Sequence, residues 1–578
     1  MTSNPSVRLR TLLACALLVF IIHGGALAQQ QAAKTKSARI DEVMNLANKY
    51  RLFNGSVLVA ENGKVIYKKG VGLANMEWNI PNSAETKFRL GSITKQFTAT
   101  AILQLVDQGK VKLDGKVSDY LPDYRKDVGD KVTVHQLLNH TSGIPSYTGL
   151  PGFFQDVSRN PFKVDDFVKK YASNDLEFEP GSKFSYNNSG YFLLGAIIEK
   201  VSGKPYEQVL KENIFEPLGM KNTGYDHFDT LIEKRATGYQ KTANGFVNAP
   251  YLDMSIPYAA GSLYATVEDL FLWDQALYTD RVLPEQTKQV MFKPHLANYA
   301  YGWSVRNARF DPKVQVITHN GGINGFSTTI IRFPAEKNLI VMLDNTGQGL
   351  DRLSEELAKI LYDRPHALPK MSVAEVLSKT IAEKGIAAGL TQFQELKTKS
   401  ADSYDFSEEE LNRLGYQLLG TGKRDEAIQI FKLNVELYPK AFNTYDSLGE
   451  AYMVAGNKEL AILNYKKSLE LNPENKGATE MLKRLESNAP PVDLKTYDAY
   501  VGEYEVSPSF IVKIFKEGDK LMTQATNQPA FELLPDGENS FALKVVNAKV
   551  SFVKDAAGAV TGLVIHQGGK DVPGKKIK

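Results

Sequence analysis

Apolar and polar positions fall into three successive patterns along the chain. From about Ala38 to Asp363 strand and helix signals are mixed. "NGSVLVAENGKVIYKKGVGLAN" contains two β-rich runs around Glu61-Asn62-Gly63, which predicts a hairpin. A long, mainly helical stretch with many loops follows. "GFSTTIIRFPAEKNLIVMLDN" then predicts a second hairpin with its turn around Pro334 to Lys337, and "LSEELAKILYD" a closing helix. Strands at both ends with helices between predict an antiparallel sheet whose first and last strands meet, an α+β arrangement. From about Met371 to Leu485 the spacing turns helical. After the Pro-rich "NAPPVD" linker, short alternating runs broken by Glu517-Gly518-Asp519, Pro535-Asp536-Gly537 and Asp555-Ala556-Ala557-Gly558 predict a small antiparallel β domain, barrel-like or an open sheet.

The helical region repeats. "LGYQLLGTGKRDEAIQIFKLNVELYP" recurs as "LGEAYMVAGNKELAILNYKKSLELNP", with Leu414, Gly415, Gly422, Ala427, Phe431 and Pro439 matched by Leu448, Gly449, Gly456, Ala461, Tyr465 and Pro473. The constant offset of 34 residues resembles the tetratricopeptide repeat, in which small residues let paired helices approach. "VAEVLSKTIAEKGIAAGLTQFQELK" reads as a degenerate preceding unit. With so few repeats a spacer is favoured; the functional alternative is a groove for a peptide or protein ligand.

Composition changes the picture mainly at the N-terminus. Arg8 and Arg10, the apolar run Thr11 to Ile22 and "ALA" ending at Ala28 have the form of an export signal over residues 1–28. The run is about half of what a membrane span needs, and no later segment is a spanning candidate. Cys15, the single cysteine, falls inside the signal; "LLAC" faintly matches a lipoprotein box but precedes the end of the apolar run. The mature chain is thus expected without disulfides, Cys-based zinc sites or a cysteine nucleophile. Removing two arginines takes the formal charge from +3 to +1, which argues against a nucleic-acid partner. The expected location is periplasmic or secreted.

The candidate chemistry begins in "KFRLGSITKQFTATAILQLVDQGK", Lys87 to Lys110. Ile93, Phe97, Ile102, Leu105 and Val106, with alanines between, suit a helix packed on several sides, and Gly109 is a stop signal. A lysine near the start of such a helix is costly to bury unless its charge is used. Ser92 and Lys95, at i and i+3, share one face at the positive end of the helix dipole. There the lysine can take or relay the serine proton. About one or two chance S-x-x-K matches are expected at this length. One is Ser551 to Lys554, in a strand-like run where i and i+3 face opposite ways.

Two further elements accompany Ser92. "EPGSKFSYNNSGYFLLGAIIEKV" places Tyr186-Asn187-Asn188 in a short turn before a helix. A tyrosine hydroxyl near a lysine ammonium can have its pKa pulled down and act as a base, and Asn188 can bind the lysine or a substrate carbonyl. "VQVITHNGGINGF" ends a β run at His319, followed by Gly321 and Gly322, where glycine lets a substrate lie along the strand and a free N–H face an oxyanion. "SYNN" also permits Ser185-Tyr186-Asn187 as a serine-first element; Tyr186-x-Asn188 fits the H-x-G companion better. His319 serves equally as a structural hydrogen-bonder or a substrate contact, His140 ties down the "HTSG" turn, and Thr266 with Asp269 forms a capping box.

The ordered set S-x-x-K, Y-x-N, H-x-G between two hairpins resembles the serine β-lactamase and penicillin-binding-protein superfamily, over residues 38 to 365. It is most similar to class C-like enzymes, family VIII esterases and D-aminopeptidases. "LLNHTSGIP" and "AAGSLYATVEDL" also read as family landmarks. The resemblance implies an antiparallel sheet flanked by helices, joined to an all-helical subdomain with the site between. It implies acyl-enzyme catalysis without metal or other cofactor on a small-molecule or peptide substrate. Ser92 would be the nucleophile, Lys95 its proton partner, Tyr186 base and later acid, and Asn188 a positioning group; the N–H groups of Ser92 and Gly322 would form the oxyanion hole. Many β-lactamases carry lysine where His319 stands; a histidine, largely neutral at pH 7, favours esters, amides or D-peptides over β-lactams. Helical repeats at 371–486 and a lipocalin-like domain at 495–578 complete the expected multidomain chain. The alternative from another class is a scaffold whose hydrolase domain is a relic.

Overall fold

The computed structural model describes residues 35–150, 153–242, 245–486, 497–507, 510–517, 520–526, 530–535, 539–543, 548–555, 558–567 and 570–578. The leader with Cys15, the "NAPPVD" linker and several C-terminal turn tips lie outside them. The chain divides into two units. One holds the described residues up to Thr148 together with Phe154–Pro369; the other holds Gly149–Phe153 and Lys370–Lys578.

The first unit is built on a six-stranded antiparallel sheet. Its strands are β1 (Gly55–Glu61), β2 (Lys64–Val71), β3 (Ser304–Asn307), β4 (Gln315–Ile323), β5 (Phe326–Phe333) and β6 (Asn338–Asp344), in the order β3-β4-β5-β6-β1-β2. Gly55 pairs with Asp344 and Val59 with Ile340, so the first and last hairpins join. The turn between β1 and β2 places Asn62 and Gly63 at φ 52° and 72°, the left-handed pair that a tight hairpin requires. β6 is buried along its whole length, so it carries no alternation of exposure. Helices α1 (Lys36–Lys49) and α2 (Asp351–Leu361) cover one face, packing Ile40, Val43, Leu353 and Leu357 against Val57, Val59, Ile340 and Met342.

The helix carrying Lys95 spans Thr94–Asp107, and every residue from Thr94 to Leu103 is buried. Ser92 sits just before it, in a 3-10 turn, Gly91–Ile93. Gly109, at φ 69°, turns the chain after the helix. A second buried helix, Asn188–Ser202, starts at an Asn187 cap whose side chain accepts from the Gly190 N–H. Asn188 is therefore the first helical residue and not part of a preceding turn. His319 lies inside β4, which continues to Ile323, and does not end a β run. Thr266 Oγ1 accepts from the Asp269 N–H, but the Asp269 carboxylate turns to Asn222 and Thr223 and leaves the capping box half made.

In the second unit, helices Glu408–Gly420 and Phe442–Val454 are offset by 34 residues, as are Arg424–Leu437 and Lys458–Leu471. The pairing depends on the repeated glycines. A Cβ on Gly415 would stand 2.5 Å from the Phe431 ring, and one on Gly449 3.2 Å from Tyr465. Val373–Lys384 and Ile386–Lys399 form a preceding helix pair. The last eight strands close into an antiparallel barrel. Tyr504 and Glu505 of its first strand pair with Lys576 and Lys575 of its last, which decides between barrel and open sheet. Ser551 lies in a barrel strand and bonds His566, away from any lysine chemistry.

Candidate active site

Ser92 owes its position to a close backbone approach. Gly91 holds φ 55°, and a Cβ there would come within 2.9 Å of the Gly322 carbonyl oxygen. A Cβ on Gly321 would stand 2.0 Å from the Leu90 carbonyl oxygen. The turn bearing Ser92 and the glycines of β4 therefore touch main chain to main chain, and any side chain at Gly321 would part them. β3 pairs with β4 only from Gln315 to Thr318, so among the described residues the outer edge of β4 from His319 onward has no strand partner.

Lys95 is fully buried, and its Nζ has three neighbours. Ser92 Oγ lies at 3.0 Å, Asn188 Oδ1 at 2.8 Å and the Ala260 carbonyl oxygen at 2.9 Å. Among the described residues no carboxylate pairs with it, and burial drives its pKa well below the ordinary lysine value. Asn188 Oδ1 and the Ala260 oxygen can only accept, whereas a hydroxyl can donate. The amine donates to those two oxygens, and its third contact, with Ser92 Oγ, serves an ammonium that donates there or a free amine that takes the serine proton. Asn188 is oriented for this by its Nδ2, which donates to Thr148 Oγ1 at 3.2 Å, and by its own N–H, bonded to Ser146 Oγ at 3.1 Å.

Tyr186 presents its ring to the cleft, 39 % exposed, with Lys95 Nζ 4.9 Å from the ring centre. Burial of the hydroxyl raises its pKa, and a hydrogen bond with Ser92 only partly opposes this. The expected downward pull from an ammonium is not among the causes at Tyr186, where desolvation is the largest; burial lowers the lysine pKa as well. His140 packs against Tyr186 with ring centres 4.3 Å apart and planes tilted by 48°. Its Nδ1 accepts from the Asn187 N–H and its carbonyl from the Ser185 N–H, so it ties the "HTSG" turn to the "SYNN" segment.

His319 has both ring nitrogens engaged. Nδ1–H donates to the Asn320 carbonyl at 2.6 Å, which leaves Nε2 to accept from the Tyr299 hydroxyl at 2.9 Å. Burial, the largest cause, pushes its pKa well below the ordinary histidine value, so the imidazole is neutral across the physiological range. His319 makes these two hydrogen bonds and also lines the cleft, so both roles expected of it remain open to it.

Ser92, Tyr186, His319, Gly321 and Gly322 line a cleft of about 690 Å³, with Lys95 and Asn188 bonded beneath Ser92. All seven residues singled out in the sequence thus come together. The sequence reading missed three others. The Ala260 carbonyl carries no side-chain signal, although "AAGSLYATVEDL" marked its segment. Tyr299 lies outside every motif. Arg306, also in the cleft wall, is the one arginine or lysine among its lining residues, and it has no ion pair among the described residues.

A family profile described as Beta-lactamase matches residues 30–363, more than half of the chain. The chain belongs to the β-lactamase family. That membership places it among serine hydrolases. Penicillin-binding protein 4* of Bacillus subtilis is 31% identical over 353 residues, covering 55% of this chain and 74% of that protein. Protein flp of Staphylococcus aureus is 28% identical over 315 residues, 52% of this chain and 61% of that one. The crystal structure of D-amino acid amidase from Ochrobactrum anthropi SV3, complexed with L-phenylalanine amide, superposes with a TM-score of 0.50 at 25% identity, covering 56% of this chain and 98% of the amidase. Residues 486–576 match a domain of unknown function, DUF3471. Among the described residues no helix is long and apolar enough to cross a membrane.

Proposed function

We propose that the chain is an exported serine hydrolase that cleaves ester, amide or D-peptide bonds through an acyl-enzyme on Ser92. The observation that carries this reading is the Lys95 amine, buried without a carboxylate and 3.0 Å from Ser92 Oγ. Lys95 takes the Ser92 proton as Oγ attacks the carbonyl carbon. The N–H groups of Ser92 and Gly322, held together by the Gly91–Gly322 contact, receive the oxyanion. Against the base-then-acid order that the resemblance implies, Tyr186, a protonated phenol beside Ser92, passes its proton to the leaving group; in deacylation the resulting phenolate takes a proton from water, and Lys95 returns its proton to Ser92 Oγ as the acyl group leaves. Asn188 holds the amine in register.

The neutral His319 supports esters, amides and D-amino acid derivatives over β-lactams, since it offers no charge to a substrate carboxylate. The amidase whose structure superposes on this chain agrees with that preference. The paired helices fit a tetratricopeptide-type spacer and the barrel a lipocalin-like accessory domain. The test is a panel of p-nitrophenyl acetate, D-alanyl p-nitroanilide and nitrocefin, with intact-mass detection of a fluorophosphonate adduct. Ser92→Ala is expected to abolish the adduct and lower turnover by at least about 10³-fold. Unchanged turnover in that variant removes the acyl-enzyme reading and leaves the scaffold alternative.

A further inference from the structure

Tyr186 is carried by an irregular stretch, residues 183–187, in which no helix or strand fixes it. Its ring lines the cleft, 4.9 Å from Lys95 Nζ. A phenol that delivers a proton to one atom must be held still, since a misplacement of about 1 Å can cost about 100-fold in rate. What holds it lies outside the stretch.

His140 grips the chain on both sides of Tyr186. Its carbonyl accepts from the Ser185 N–H at 2.9 Å, and its Nδ1 from the Asn187 N–H at 3.1 Å. Its ring meets the Tyr186 ring as well, 4.3 Å between centres. Three contacts therefore converge on one catalytic residue: both flanking N–H groups and the ring itself. His140 is held in turn. It is fully buried, and Tyr191 and Tyr299 pack against it at 5.1 and 4.5 Å. The Tyr191 hydroxyl is anchored on the Leu138 carbonyl, and the Tyr299 hydroxyl on His319.

The Asn187 bond also fixes the tautomer. A backbone N–H can only donate, so Nδ1 is bare and Nε2 carries the proton. Burial drives the His140 pKa well below the ordinary histidine value, which keeps Nδ1 free to accept. Nε2 has no hydrogen-bond partner among the described residues, so the Asn187 bond is the one polar contact that orients the ring.

We propose that His140 is the positioning residue for Tyr186, holding the phenol in line with the leaving group of the substrate. The proposal rests on the reading above, in which Tyr186 gives its proton to that group. Fully buried, His140 reaches no substrate and acts only through Tyr186. A mere anchor of the turn would slow every substrate alike. A residue that aims an acid matters most where the leaving group needs the proton.

The test is kcat/KM on three acetates, p-nitrophenyl, phenyl and 2,2,2-trifluoroethyl, whose leaving groups are increasingly basic. This constant reports acylation, because the alcohol departs before deacylation, and the ratio between substrates cancels any loss of folded protein. His140→Ala is expected to lower the trifluoroethyl rate at least about 100-fold and the p-nitrophenyl rate less than about fivefold. His140→Gln keeps the bulk without an acceptor at the Nδ1 position; it should show the same skew, and it serves if the alanine variant does not fold. His140→Asn supplies an oxygen there and tolerates the left-handed φ of 61°. It should bring the trifluoroethyl rate back to within about tenfold of wild type. Tyr186→Phe gives the reference skew. If that variant is skewed but the alanine and glutamine variants slow all three esters equally, the proposal is overturned and the hydrolase reading stands. An asparagine variant no better than the glutamine one overturns it too. If Tyr186→Phe slows all three alike, or the wild-type chain hydrolyses none, the reading beneath fails and the proposal falls with it.

Discussion

Replacing Asn188 by aspartate tests the neutral-lysine mechanism most directly. The change is nearly isosteric and puts a carboxylate oxygen where Oδ1 now lies, 2.8 Å from Lys95 Nζ. With an effective dielectric constant of about 20, two unit charges at that distance attract by about 6 kcal/mol, equal to about 4 pKa units. The new carboxylate is itself desolvated and loses part of that gain, so a rise of at least about 2 units in the lysine pKa is expected. The sign follows from the role of Lys95. A base works only when unprotonated, so the acidic limb of kcat/KM must move to higher pH by the same amount. Below both pKa values each unit costs tenfold, and Asn188→Asp should lose about 100-fold there while recovering toward wild-type rates in alkali. The assay is kcat/KM for p-nitrophenyl acetate from pH 5 to 9, with circular dichroism to confirm folding. A limb that stays in place, or moves to lower pH, would refute Lys95 as the base.

Three further outcomes are expected. Gly321→Ala should lose about 1–3 kcal/mol of stability to urea and most of its acylation rate, because its Cβ would stand 2.0 Å from the Leu90 oxygen; Gly349→Ala, with nothing within 4 Å, is the silent control. Arg306→Gln should lower kcat/KM about tenfold for an anionic ester and less than about twofold for a neutral one, and equal effects on both would deny Arg306 a role in charge selection. Asp344 is fully buried and its pKa is pushed up to about 6, chiefly by desolvation. The unfolded chain releases this proton first, so stability falls as pH rises from about 4 through 6 and is level above, by about 3 kcal/mol in all. Asp344→Asn should be less stable throughout but lack this slope in denaturant titrations at pH 4 and 7, and parallel curves would contradict the assignment.

Much of the architecture is visible in local pattern. Asn62-Gly63 announces its turn because only residues tolerant of positive φ suit a two-residue hairpin. The 34-residue offset is legible because each helix pair repeats the same small-residue contact, Gly415 on Phe431 and Gly449 on Tyr465. Ser92, Lys95, Tyr186 and His319 stand out since side-chain chemistry is written in residue type. The true limit of β4 was not legible: "THNGGI" offers glycines where strands seldom carry them, and its pairing with Phe326–Phe333 comes from the partner strand. The half-made capping box at Thr266 has the same origin, for Asn222 and Thr223 lie far away in sequence.

The chain's own order of residues therefore determined which groups could do chemistry and which segments would be strand, helix or repeat, because those depend on spacing and backbone preference within a few residues. Tertiary structure alone decided their protonation and their partners. Lys95 is driven toward the free base, and His319 is kept neutral, by desolvation that no single neighbour supplies. The Ala260 carbonyl, the Tyr299 hydroxyl and the Asn188 amide reach them from distant parts of the chain. Electrostatic states are sums over everything packed nearby, and what packs nearby is known only once the chain has folded.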